Sequence, residues 1–359
     1  MILISTSLLA ADFSKIKEEL ESVKNADYLH VDVMDGKFVE NTTLFLDVAN
    51  VKKIKQHSEI QFLTHLMVEH PLDYIKKYAE AGSSVISFHI EAKDDPDSVI
   101  EEIRKYNCGV SIAINPDTPV SVVEEYLNEI DHVLVMSVVP GKGGQQYIDH
   151  STGKILHLKH EISKRNLHVL IEVDGGIKLE NAHLPVNAGA DIIVSGTGIF
   201  SQKNRMEVID KMKDVILLGA DHAGYQLKEA VKKYLDKKKI AYQDFGTNSE
   251  ESTDYPLYAQ KVAKQISQGK AKKGILICGT GQGMAVAANR FKGVRAALCL
   301  DTYYAEQARE HGDSNVLCLA GRVTKPKDAE MIIEKWLETP FSEEEKRIRR
   351  LKQIDAVQE

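Results

Sequence analysis

The sequence predicts a parallel α/β protein in two parts: a (β/α)8 barrel over the first 210 or so residues, then a doubly wound, Rossmann-like α/β unit. Three observations carry this prediction. Short apolar strand-like runs alternate with amphipathic helical stretches, the order that builds parallel sheets covered by helices. The first series contains eight strand candidates, the number that closes a barrel. The rhythm then restarts at KMKDVILLGADHAG (211–224) with no Gly/Ser/Pro spacer, as though a second protein began there. The expected domains are therefore 1–211 and 212–359.

The barrel strands are expected at ILISTS (2–7), YLHVDVM (28–34), QFLTHLMV (61–68), SVISFHI (84–90), GVSIAI (109–114), HVLVMSV (132–138), HVLIEVD (168–174) and DIIVSGT (191–197). A helix at 204–213 closes this series. The second unit is expected to place strands at VILLGA (215–220), IAYQDFG (240–246), KGILICG (273–279), GVRAALC (293–299) and NVLCLAG (315–321). Helices at 225–238, 256–268, 302–310 and 327–338 separate them, and SEEEKRIRRLKQIDAVQE (342–359) reads as a charged helix with Glu ahead of Lys/Arg at i,i+4 spacing.

A chain of 359 residues buries an ample core. Acidic residues outnumber basic ones, 53 to 46, for a net charge of −7 without any Lys/Arg block, which argues against nucleic acid as a partner. The N-terminus has no basic prelude, and no apolar run approaches membrane-spanning length, so the expectation is a cytoplasmic protein independent of membranes. Cys108, Cys278, Cys299 and Cys318 show no metal-type spacing and read as reduced thiols; only Cys278 sits in a chemically suggestive context.

Two carboxylates able to work on opposite faces of one carbon are the first chemistry legible here: Asp32 in LHVDVMDG and Asp174 in IEVDGG. His30 lies two residues before Asp32, on the same strand face. His65 in THLMV supplies a third ligand type, so His30, Asp32, His65 and Asp174 could surround one divalent cation. All four fall near strand C-termini, where the active site of such a barrel lies. Met34, Met67 and Met136 would point inward as soft packing around a ligand, or as ordinary core. His57, His70, His150, His157, His160, His168 and His183 read as structural, whereas His89, at a strand end, is left open.

The segments SLLAADF (7–13), LHVDVMDG, HLMV, FHIEA (88–92), NPDTP (115–119), VMSVVPGKGGQ (135–145), EVDGGI (172–177) and SGTGIF (195–200) together resemble ribulose-phosphate 3-epimerase. The resemblance implies metal-dependent proton transfer at C3 of a ketose phosphate. It assigns metal ligation to His30, Asp32, His65 and Asp174, with Asp32 and Asp174 as the acid/base pair; the ion could be Zn, Fe or Mn. Peptide N–H groups around Gly141, Gly143 and Gly144, then Gly175 and Gly176, then Gly196 and Thr197 are expected to hold the phosphate, and Ser7 matches a substrate-contacting position. Lys142 stands where the family usually has Phe, and Glu40 where Pro is usual.

Further on, GADHAGYQLK (219–228), DFGT (244–247), TDYPLYA (253–259), ICGTGQGMAVAANR (277–290), GVRAALC, ARxHGDSNVL (308–317) and GRV (321–323) resemble type B ribose-5-phosphate isomerase. This implies aldose–ketose isomerisation through a cis-enediol, without a metal, and a dimer or larger homo-oligomer. Cys278 would be the base and Thr280, with the amides of Gly281 and Gly283, the oxyanion site. Asp221 and His222 would hold sugar hydroxyls, His311 would assist ring opening, Tyr255 would line the pocket, and Arg322 and Arg350 would meet phosphate. The family more often has Asn where this chain has Gly312, and the tail around Arg347 and Arg350 aligns loosely.

The expected function is a bifunctional enzyme joining ribose 5-phosphate, ribulose 5-phosphate and xylulose 5-phosphate. The alternatives are an allose-6-phosphate isomerase joined to an allulose-6-phosphate 3-epimerase, and a sugar-phosphate sensor without turnover.

Overall fold

A computed structural model describes residues 2–356. Contacts divide the chain into two compact units, Ile2–Lys213 and the residues from Asp214 onward. In the first, eight parallel strands close into a barrel in sequence order: β1 Leu3–Ser7, β2 Tyr28–Met34, β3 Gln61–Met67, β4 Ser83–His89, β5 Gly109–Ile114, β6 His132–Met136, β7 Leu170–Asp174 and β8 Ile192–Ser195. Each expected strand is present.

Strand alternation sorts the side chains. In β2, Leu29, Val31 and Val33 are fully buried and alternate with His30 and Asp32, whose side chains meet those of β3 and β7 inside the barrel. Parallel register then sets the layers: Ser7 pairs with His30, Asp32 with His65, Met34 with Met67, and Met136 with Asp174. Residues more than a hundred positions apart thereby reach one level of the barrel mouth. Side-chain caps begin several of the covering helices. Asp95 accepts from Ser98 N at 3.0 Å and starts helix Pro96–Lys105, with Pro96 in its first turn.

The second unit is a five-stranded parallel sheet: β9 Ile216–Ala220, β10 Tyr242–Asp244, β11 Lys273–Cys278, β12 Ala296–Leu298 and β13 Val316–Ala320, in the order β10-β9-β11-β13-β12. β10 and β12 are shorter than expected because they are edge strands, paired on one side only. A helix not anticipated from sequence, Gln282–Ala288, follows the Gly-rich turn after β11. Trp336 is fully buried in the core of this unit and satisfies its indole N–H with Ser314 Oγ at 2.8 Å. The charged tail forms helix Glu345–Asp355; residues 357–359 of the expected tail helix lie outside the described residues. Among the described residues no helix is long and apolar enough to cross a membrane.

Candidate active sites

One ligand-type atom from each of His30, Asp32, His65 and Asp174 lies within 4.8 Å of the other three. Asp32 Oδ1 is 3.3 Å from both His30 Nε2 and His65 Nδ1, and Asp174 Oδ2 is 3.9 Å from each of those nitrogens. Ser7 Oγ donates to the other Asp32 oxygen at 2.7 Å. Burial opposes charge on Asp32, but the His30 and His65 rings outweigh it and hold the carboxyl well below the usual range. Asp174 moves the other way, pushed up to about 7 by burial and by the negative charges of Asp32 and Glu172. Burial lowers His65 to about 4, leaving a neutral ring.

This donor set fits a divalent cation. Among the described residues the fully buried His30 has no well-aligned hydrogen-bond partner for Nε2, and three carboxylates crowd one chamber. Unpaired buried polar atoms are costly, and a dication would satisfy the imidazole lone pair while neutralising the carboxylates.

Asp32 and Asp174 open into a cavity of about 130 Å³ at the C-terminal end of the barrel. Met34, Met67 and Met136 line it, as do Ser7, Gly141, Gly143, Gly144, Gly175, Gly176, Gly196 and Thr197, so every barrel residue singled out from sequence is at or beside it. Lys142 is on its wall as well. At Gly175 the backbone has φ +122°, and an added Cβ would stand 2.4 Å from Val138 Cγ2; only glycine brings the peptide this close to the β6 loop.

In the second unit β9 and β11 are neighbours from which the chain departs in opposite directions, a switch point of the kind at whose strand C-termini open α/β sheets take ligands. Asp221 N donates to Ile277 O at 3.3 Å, Gly321 N to Cys278 O at 2.7 Å and Arg322 N to Gly279 O at 3.1 Å, lacing together the loops after β9, β11 and β13. Cys278 is buried, Thr280 exposed, and Gly281 takes φ +74° to start the following helix. The Tyr255 ring covers Gly283, where an added Cβ would meet its Cζ at 2.7 Å. His222 Nδ1 lies 3.1 Å from Thr253 N and 3.2 Å from Thr253 O, which ties the ring to the 253 loop. Asp221, His222, Tyr255, Cys278, Thr280, Gly281, Gly283 and Arg322 are thus gathered. His311 and Arg350 are not: His311 lies 3.8 Å from Glu310, Arg350 is exposed on the last helix, and among the described residues neither makes a hydrogen bond or ion pair with the Cys278 loop.

The family model described as the ribulose-phosphate 3 epimerase family matches residues 3–200. The chain belongs to that family. A ribulose-phosphate 3-epimerase of Bacillus subtilis is 37% identical over 218 residues, 59% of this chain and 99% of that protein. One of Aquifex aeolicus is 38% identical over 219 residues, 60% of this chain and 98% of that protein. Residues 216–354 match a second model, described as Ribose/Galactose Isomerase. A solved ribose 5-phosphate isomerase of Thermotoga maritima is 48% identical, covering 40% of this chain and 98% of that one, with a TM-score of 0.39. The two matching family models, over residues 3–200 and 216–354, are both of enzyme families.

Within the epimerase unit the structure adds residues that sequence reasoning passes over. Glu172, fully buried, lies 3.2 Å from His30 Nδ1 and 3.7 Å from His132 Nδ1. Burial would raise its pKa, but the two imidazoles bring it down to about 2. Its position two residues before Asp174 is a signal, since alternation puts both on the inner face of β7. His132 carries no local signal, because its partner is on another strand. Cys299 is pushed up to about 12 by burial and by Asp301, and Cys318 is raised by burial, as suits core thiols.

Proposed function

We propose that this chain is a bifunctional pentose-phosphate enzyme. Residues 1–211 would interconvert ribulose 5-phosphate and xylulose 5-phosphate, and residues 212–359 ribose 5-phosphate and ribulose 5-phosphate. The observation that carries the reading is the four-atom cluster His30, Asp32, His65 and Asp174, whose two aspartates open into the Gly-rich cavity, in a chain of the epimerase family.

Those four residues would hold one divalent ion: Zn, Fe or Mn. When bound, such an ion polarises a ketone and makes the neighbouring C–H more acidic. Asp32 and Asp174 then act on opposite faces of C3, one taking the proton as the enediolate forms and the other returning a proton to the far face. Asp174 opens into the cavity, where its carboxyl can accept or release a proton at the bound sugar. Ser7 keeps Asp32 aimed through its 2.7 Å bond. The three methionines exclude water from the reacting carbon, and the glycine-loop amides of 141–144, 175–176 and 196–197 receive the phosphate.

In the second unit Cys278, as thiolate, would take the C2 proton of the open-chain aldose and deliver it to C1 of the cis-enediol, with no metal. Thr280 and the Gly281 and Gly283 amides would hold the oxyanion, and Asp221 and His222 the sugar hydroxyls. Tyr255 would close the pocket, and Arg322 would meet the phosphate. His311 and Arg350 would join this site across a homo-oligomer. A second copy is a fitting partner for a surface that leaves Val286, Tyr303 and Val323 more than 60% exposed. Four free, buried cysteines suit a cytoplasmic enzyme.

The test is exchange of solvent deuterium into ribulose 5-phosphate, followed by position. Label at both C1 and C3 is expected; a metal-loaded, thiol-reduced protein that labels neither carbon would sink the reading. Parallel rates on six-carbon phosphates separate it from the allose/allulose pair.

A further inference from the structure

His89 and Glu91, both in the FHIEA segment, have no part in the mechanism above. His89 ends β4 and is almost fully buried. Its Nε2 lies 2.9 Å from Nε2 of His65, the rings stacked with centroids 5.0 Å apart. Its Nδ1 lies 3.1 Å from Glu91 Oε2. The other Glu91 oxygen accepts the Asn115 peptide N–H at 2.9 Å and the Thr118 hydroxyl. Phe38 packs against the His89 ring, its centroid 4.7 Å away. Although burial opposes it, the donors from His89, Thr118 and Asn115 keep Glu91 ionised, with a pKa of about 2.

A neutral imidazole carries one N–H, and an ionised carboxylate can only accept. With a neutral His89 ring, Glu91 draws the proton to Nδ1, which leaves a lone pair on His89 Nε2. Two lone pairs facing at 2.9 Å repel, and that repulsion opposes the pull of Asp32 on a proton at His65 Nδ1, favouring the His65 proton on Nε2. His65 Nδ1 is then bare, and Nδ1 is the atom 3.3 Å from Asp32 and 3.9 Å from Asp174. Left to those two carboxylates alone, the proton of His65 would be drawn to Nδ1, the tautomer that cannot accept a cation.

We propose that Glu91, acting through His89, is a positioning group that selects the Nε2–H tautomer of His65 and so presents its Nδ1 lone pair to a divalent ion. Neither residue touches substrate. The inference rests on reading the barrel site as a metal centre, and it deepens that reading by naming what sets one ligand. Direct carboxylate support of a ligand histidine is the familiar arrangement, and Glu172 beside His30 has that form. His65 is served instead by a carboxylate one ring further away.

The experiment uses the full-length chain and Co2+ alone, with its dissociation constant measured by chelator competition and its visible absorption. His89→Leu should weaken Co2+ binding roughly 10- to 100-fold. His89→Gln, whose amide oxygen can accept from His65 while its NH2 donates to Glu91, should stay within about threefold of wild type. In the metal-free wild-type protein, 15N NMR should find the His65 proton on Nε2, a result that decides the matter even where a variant does not fold. A folded His89→Leu protein that binds Co2+ as tightly as wild type would overturn the proposal. So would equal weakening by both substitutions, or a His65 proton on Nδ1. Wild-type protein that takes up no Co2+ would instead defeat the metal-centre reading itself.

Discussion

Ser7 Oγ donates a 2.7 Å hydrogen bond to Oδ2 of Asp32, while Oδ1 of the same carboxylate faces His30 and His65 at 3.3 Å each. One oxygen is thus held by the barrel and the other left for the site. Ser7→Ala removes a charge-assisted hydrogen bond of about 1.5–3 kcal/mol. We expect kcat for epimerisation to fall roughly 10- to 100-fold with the isomerase rate unchanged, measured by coupled assays of the two reactions on one preparation. An unaffected epimerase would mean that Asp32 needs no such anchor.

Asp174→Asn should lower epimerisation about 10²- to 10⁴-fold, the range typical of a lost general acid or base, and leave isomerisation intact. Cys278→Ala should do the reverse. The gathered residues of the two sites belong to different units, so loss of both rates in a folded variant contradicts the assignment.

Metal removal divides the activities in the same way. Dialysis against a strong chelator should silence epimerisation, and re-addition of Mn2+ or Zn2+ should restore it. Isomerisation should continue throughout, and a chelator-sensitive isomerase would count against a metal-free second site.

Lys228 is fully buried in the second unit, with Nζ 2.5 Å from Asp244 and 2.8 Å from Thr247 O. Removing the ammonium leaves Asp244 with Lys232 at 3.4 Å but Thr247 O without its donor, at a cost of about 1–3 kcal/mol. Lys228→Met should therefore lower the midpoint of thermal inactivation of the isomerase but not of the epimerase. Equal inactivation of both activities, or of neither, would refute it.

Glu91 carries a pH signature. Its folded pKa of about 2 lies below the unfolded value of about 4.3, so the stability it contributes is fully present above pH ~4.3 and is lost as pH falls through ~2. The difference in urea midpoint between wild type and Glu91→Gln should be constant near neutrality and shrink as pH drops from about 4.3 towards 2. A difference that does not change over that range would show that Glu91 is not held ionised.

What is local along the chain can be read directly from the order of its residues. Alternation in YLHVDVM places His30 and Asp32 on one face, and the positions of the eight runs match the barrel strands closely. The Gly-rich turns after late strands, which line the cavity, are equally plain. The helix Gln282–Ala288 is hidden because GTGQG reads as turn, and its few apolar residues make too short a pattern to declare a period.

Glu172, His132, His89 and Glu91 mark the limit. Their chemistry depends on which strands are neighbours and at what register, so that β7 faces β2 across the barrel and β4 stands beside β3. Residue types, spacing and strand periodicity pointed to a carboxylate pair and a metal-type donor set, while the reaction class came from the resemblance to known families. Barrel closure alone decided which nitrogen of each imidazole meets a carboxylate and which remains for an ion, because those few-ångström distances join segments that the chain itself separates by dozens of residues.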